Sequence, residues 1–156
     1  MLLNDEVELL RRLPLFSGVA PAKLKLLAFT SDRIKFDVGK ELFKQGDTGD
    51  AAYVVLSGNA DVLVNTEAGE IRVATVNPSE LVGDIAILCD VPRTATVRAA
   101  TPLLTLRIKK ENFLKLLSDF PEMTVEIMRV LATRLSRTTA ELSDARSQLA
   151  QARRVH

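Results

Sequence analysis

The sequence predicts a mainly β fold with flanking helices, and three observations carry that prediction. Between residues 31 and 109 apolar residues alternate with a period of two in short runs, separated by Gly39, Gly46, Gly49, Gly58, Gly69, Pro78 and Pro102. Many short strands punctuated in this way indicate an all-β sandwich or roll. On both sides the apolar period lengthens to that of a helix. After Pro121 neither glycine nor proline interrupts the chain, which predicts one helix of up to about 35 residues, well beyond the usual ~8–20.

A chain of 156 residues is of single-domain size, and the periods divide it into residues 1–30, 31–109 and 110–156. In the first segment Asn4 is a good N-cap. Asp5, Glu6 and Glu8 favour the positive start of a helix, Arg11 and Arg12 favour its end, and Val7, Leu9, Leu10 and Leu13 supply its apolar side. Pro14 stops it, Leu15, Phe16, Ser17 and Gly18 form a tight apolar turn, and Pro21 opens a second helix carrying Leu24, Leu26, Leu27 and Phe29. Strand-like runs follow at 34–36, 41–43, 53–56, 61–64, 71–76, 94–97 and 103–108. Residues 112–117 then read as a short helix with Phe113, Leu114 and Leu117 inward, ahead of the long helix.

Composition excludes several classes. A formal net charge of +1 gives no electrostatic argument for nucleic acid. Cys89 stands alone, so no intrachain disulfide and no thiolate metal cluster is expected, and the one histidine is His156. Without a second imidazole, most acid–base and nucleophilic schemes lack a base, so an enzyme is not expected, and neither is a resident cofactor or metal. No charged-then-apolar leader and no apolar run near membrane-spanning length is present, so a cytoplasmic protein is expected.

Chemistry concentrates at residues 81–99. Gly83 and Asp84 precede a short apolar segment from Ile85 to Cys89; Pro92 and Arg93 then lead into Thr94, Ala95, Thr96 and Val97. The start of a helix exposes backbone N–H groups with no internal partner, and a glycine there lets a ligand approach closely. Arginine meets a phosphate with two parallel charge-assisted bonds. Asp84 repels phosphate and suits a hydroxyl donor such as a sugar. Phosphate and hydroxyl together describe a nucleotide; the alternative is a surface loop with an Arg–Asp ion pair and no ligand.

These residues resemble the phosphate-binding cassette of cyclic nucleotide-binding domains, roughly F-G-E-x-A-L, a spacer, then P-R-x-A-T. The match lies at Gly83, Ala86, Pro92, Arg93, Ala95 and Thr96, with Val82 and Asp84 departing from the usual Phe and Glu. Lys44, Gln45, Gly46, Asp47, Thr48 and Gly49, followed by Tyr53 to Gly58, resemble a second signature of the family, although turn geometry accounts for Gly46 and Gly49 without ligand contact. The resemblance covers nearly the whole chain and is to catabolite activator protein and protein kinase A regulatory subunits. It implies a jelly-roll-like antiparallel β-roll whose helices shift when ligand binds. Phosphate would meet Arg93 and the amides near Ile85 and Ala86, with Thr94 and Ala95 beside them, and Asp84 would hold the ribose, one methylene shorter than the family's acid.

In the long helix, Met128, Leu135, Leu142 and Leu149 repeat every seven residues, with Leu131, Thr138, Ala145 and Ala152 in the second seam. Glu141 and Arg146 fall at flanking positions, so a parallel homodimer between Met128 and Ala152 is expected; packing of the stripe on its own roll is the alternative. Arg129, Arg134, Arg137 and Arg146, interspersed with acids, read as a solvated face. By resemblance Thr138 and Thr139 read the amino group of adenine, the alternative being that both hydroxyls cap local carbonyls or face water; Thr94 accompanies cGMP in some members and occurs in cAMP-responsive ones too, so the two helix hydroxyls favour cAMP over cGMP. With no helix-turn-helix following this helix, the expectation is a stand-alone sensor acting on an effector the sequence does not identify. The competing expectation is a ligand-free dimeric interaction scaffold with a decayed pocket.

Overall fold

The computed structural model describes residues 2–13 and 16–155. Helices α1 (Leu2–Arg12) and α2 (Pro21–Thr30) precede eight strands: β1 (Asp32–Phe36), β2 (Glu41–Phe43), β3 (Ala51–Ser57), β4 (Ala60–Thr66), β5 (Gly69–Val76), β6 (Leu81–Val82), β7 (Thr96–Ala99) and β8 (Leu103–Lys109). A five-residue helix α3 (Asp84–Leu88) lies between β6 and β7, and α4 (Lys110–Asp119) and α5 (Pro121–Val155) follow β8. The strands form two four-stranded antiparallel sheets, ordered β1-β8-β3-β6 and β2-β7-β4-β5, which is the expected β-roll with helices at both ends.

The period of two decides what each sheet face packs against. On β3, Ala51, Tyr53 and Val55 point between the sheets, where they meet Leu42, Ala60, Val97 and Leu103. Ala52 and Val54 point the other way, into a second core built with Leu10, Phe16, Leu24, Phe113, Met123 and Ile127. The helices thus cover the outer face of the first sheet. Burial on both faces explains why β3 reads as the unbroken apolar run AAYVVL rather than as an alternation.

Several expectations change in detail. Helix α1 begins at Leu2, so Asn4 lies within it and is not its N-cap; Pro14, Leu15 and His156 fall outside the described residues. On α2 the buried residues are Leu24, Leu27 and Ala28, while Leu26 and Phe29 are exposed, because i and i+3/i+4 share a helical face and i+2 and i+5 do not. The same spacing buries Phe113 and Leu116 in α4, leaves Leu117 packed at its margin and turns Leu114 outward. The run at 94–97 becomes strand only from Thr96. Arg93 is instead tied to the 44–47 turn, donating its amide to the Asp47 carbonyl at 2.7 Å and accepting from the Gly46 amide at 2.8 Å.

Gly49 has a structural reason beyond turn geometry: a Cβ built there lies 2.5 Å from the Cβ of Ala86 in α3. Loop 44–49 and α3 therefore pack at glycine distance. Gly49→Ala should push α3 outward and lower stability by about 1–3 kcal/mol, the usual cost of overpacking. A urea titration with an unchanged midpoint would show that α3 yields freely.

Candidate functional site

The cassette folds as a turn, a one-turn helix and a loop into strand. Gly83 follows β6 in the left-handed region at φ 86° and caps α3. A side chain at this position is opposed by conformation and by space, because an added Cβ would lie 2.7 Å from Nη1 of Arg93. Arg93, 3% exposed, is drawn under the cassette. Its Nη1 donates to the Gly83 carbonyl at 2.7 Å and its Nη2 to the Ala51 carbonyl at 2.6 Å. The guanidinium carbon sits 4.0 Å from the centre of the Phe43 ring. The nearest carboxylate oxygen, Asp50 Oδ1, is 3.7 Å from Nη2 on a largely exposed side chain. Burial pulls the Arg93 pKa down, opposed mainly by the charge of Asp50. Among the described residues its buried Nε–H has no acceptor, and a buried donor of this kind is costly unless an acceptor meets it.

Asp84 is 2% exposed and turns toward α5, where Oδ1 lies 3.6 Å from Nη1 of Arg134. Nη2 of the same arginine donates to the Leu81 carbonyl at 2.6 Å. One α5 side chain thus grips both ends of the β6–α3 corner. Arg134 was expected on a solvated face. It faces the roll because Ile127, Leu131, Arg134, Thr138 and Glu141 recur at three and four residues along one helical side, while Met128, Leu135, Leu142 and Leu149 lie on the exposed one.

A cavity of about 350 Å³ opens between cassette, second sheet and α5. Gly83, Asp84, Ile85, Ala86, Arg93, Thr94, Ala95 and Thr138, all singled out in the sequence, line it; Thr139 does not. Val62, Val73 and Val97 give it apolar walls, and Arg134, Arg137 and Glu141 extend its polar side. None of the last three was expected at the site, although the positions of Arg134 and Glu141, four and three residues from Thr138, were a usable signal. A small concave site with apolar walls and a few convergent polar groups is what binds a small organic ligand. Among the described residues no cluster of His, Cys, Asp or Glu is arranged to hold a metal ion. No helix of the described residues is long and apolar enough to cross a membrane.

Burial holds the Asp84 carboxyl above its ordinary pKa, and the charge of Arg134 opposes this without cancelling it. The folded chain therefore binds this proton more tightly than the unfolded chain. The stability it contributes is full below the unfolded carboxylate value and is lost as pH rises through the raised folded one. Asp84→Asn cannot ionise, so its stability relative to wild type should increase between about pH 4 and pH 7. Urea titrations giving the same difference at both pH values would show that Asp84 titrates alike in both states.

The profile of the Cyclic nucleotide-binding domain family matches residues 33–120. The CRP-like cAMP-activated global transcriptional regulator of Mycobacterium tuberculosis is 29% identical over 138 residues, which cover 88% of this chain and 62% of that protein. The Cyclic AMP receptor protein of Thermus thermophilus is 32% identical over 145 residues, covering 89% of this chain and 67% of that protein. This chain thus spans less than two thirds of the mycobacterial regulator's length and about two thirds of the Thermus protein's. In three dimensions the fold is similar to the sensor domain of the transcriptional regulator DNR from Pseudomonas aeruginosa, with a TM-score of 0.77 at 26% identity over 90% of this chain and 95% of that one. With the profile match spanning the β-roll and the cassette it carries, this chain belongs to the cyclic nucleotide-binding domain family.

Proposed function

We propose that this chain is a regulatory, non-enzymatic cytoplasmic sensor of a 3′,5′-cyclic nucleotide, with cAMP its preferred ligand over cGMP. The observation that carries the reading is the buried Arg93 guanidinium, whose Nε–H lacks an acceptor at a cavity lined by Gly83, Ile85 and Ala86. A cyclic phosphodiester is a singly charged anion whose exocyclic oxygens accept from Arg93 and from the amides near Ile85 and Ala86. The ribose hydroxyl goes to Asp84. A carboxylate has acceptor capacity for several donors, so Asp84 accepts from the hydroxyl while Oδ1 stays near Arg134. Thr138 supplies a hydroxyl to the base, and Thr139 lies off the cavity lining. Two relatives with cAMP in their names, at 29% and 32% identity, support cAMP as the ligand.

The output follows from α5. Arg134 ties this helix to the β6–α3 corner, and a nucleotide bound between Arg93, Asp84 and Thr138 adds contacts to both sides of that joint. Any difference in affinity between two α5 positions then shifts their populations. At 1.5 Å per residue α5 is about 50 Å long, and every described side chain from Leu135 to Arg154 is exposed. The Leu135, Leu142 and Leu149 stripe therefore pairs in a parallel homodimer with that of a second copy, extending from Met128 toward Ala152. The signal passes from there to an effector.

Isothermal calorimetry should give micromolar or tighter cAMP binding, and Arg93→Ala should lose at least about 2–3 kcal/mol of it. Equal affinities for folded wild type and variant would sink the phosphate assignment, and no binding by wild type would leave the scaffold reading. Assembly is tested separately on the exposed stripe: burying each leucine or methionine contributes about 1.5–3 kcal/mol before ordering costs. Light scattering at micromolar concentration should therefore report a dimer for wild type and a monomer for Leu142→Lys. A monomeric wild type, with and without cAMP, would make α5 an intrachain lid.

A further inference from the structure

Helix α2 is apolar on two opposite sides. Leu24, Leu27 and Ala28 are buried, while Leu26 and Phe29, on the far face, are 50% and 76% exposed. Phe29 is the most exposed large apolar side chain among the described residues. A helix that is apolar all round belongs in an interior, yet among the described residues nothing covers this outer face. At 100° per residue Lys23 and Lys25 flank the apolar strip on either side. Beside it a groove of about 210 Å³ runs between α2 and α4, with Leu26, Leu116 and Phe120 as its apolar lining and Lys115 on its α4 wall.

Charge at this surface is one-sided. Helix α2 carries no acid, and the groove carries one, Asp119, which Lys23 holds at 4.0 Å. Among the described residues Lys25 and Lys115 have no ion-pair partner, and both are exposed. Two cations are thus left over here, on a chain whose formal net charge is +1. Unpaired cations beside an apolar strip select a partner whose acids border a strip of its own. Both walls are helices with backbone groups bonded internally, so an extended peptide finds no edge to join. The Thr30 hydroxyl in the lining is likewise taken up by the Leu26 and Leu27 carbonyls. An incoming helix satisfies its own backbone and presents apolar residues at i, i+3, i+4 and i+7. Ten residues make α2 about 15 Å long, which matches about two to three turns of such a helix.

We infer that the α2–α4 face is a docking surface for an acidic amphipathic helix of a partner protein. It shares no lining residue with the nucleotide cavity, and it stands whatever that cavity binds. The probe is a fluorescein-labelled two-heptad peptide, capped at both ends, with leucine at a, d and e and glutamate elsewhere. Fluorescence anisotropy on the full chain should show saturable binding at micromolar concentration. A peptide of the same composition with its leucines spread around the helix, and one with lysine for glutamate, should bind at least about tenfold more weakly. Phe29→Ser should weaken the acidic peptide at least about fivefold, and Lys115→Glu should weaken it while strengthening the lysine peptide. Both positions are exposed, so the variants keep the fold, and circular dichroism checks this. Leu142→Lys, on the α5 stripe, should leave binding unchanged. No saturation up to about 1 mM, equal binding of the three peptides, or a loss confined to Leu142→Lys would overturn the inference. A smaller particle by light scattering for Phe29→Ser than for wild type would place a second copy on this face and overturn it as well.

Discussion

A charge that cannot be given up is buried beneath the cassette, and Phe43, the 44–47 turn, Ala51 and Gly83 are arranged around it. Arginine keeps its proton under any condition in which the protein folds, so Arg93 must be compensated where it lies. A carboxylate in contact would do this most cheaply, but Asp50 is 3.7 Å away on an exposed side chain. The compensation comes instead from neutral dipoles and a π face: the Gly83 and Ala51 carbonyls and the Phe43 ring. Such an environment tolerates a cation without cancelling its field. That is the condition under which a buried cation still attracts an anion from water.

The constraint spreads outward through the backbone. Holding the guanidinium against Gly83 requires a residue without Cβ in a left-handed conformation. Holding its own backbone requires the 44–47 turn, which exchanges two hydrogen bonds with Arg93, and Gln45, whose amide donates to the Thr96 hydroxyl at 2.9 Å. The glycine-rich signature at 44–49 therefore serves as the mount of the arginine, with Gly49 seating α3 against it. Two motifs about 40 residues apart in sequence are parts of one device.

Helix α5 divides its faces between two tasks. Met123 and Ile127 enter the helical core, Arg134 grips Asp84 and the Leu81 carbonyl, and Thr138 reaches the cavity. Its other face carries the exposed apolar stripe. One continuous helix therefore bears both the cavity contact and the stripe.

Sequence alone determined the class of the fold, its strand-rich middle, the long terminal helix and the cassette with Arg93. These rest on local rules: the period of apolar residues, the interruptions by glycine and proline, and residue types at short spacing. Tertiary structure decided what those rules do not contain. β6 is two residues long and has no pattern of its own; it exists through pairing with β3. Leu26 and Phe29 are as apolar as Leu24 and Leu27, and the docking of α2 alone turned them outward. Asp84 looked like a free sugar ligand, yet it lies in a corner where it meets Arg134, 50 residues distant in sequence. Arg137 looked like solvated charge, and Glu141 like a flanking position of a dimer seam, until the roll was placed beside α5. A helix has one periodicity but several faces, and only the partner packed against it decides which face becomes a site.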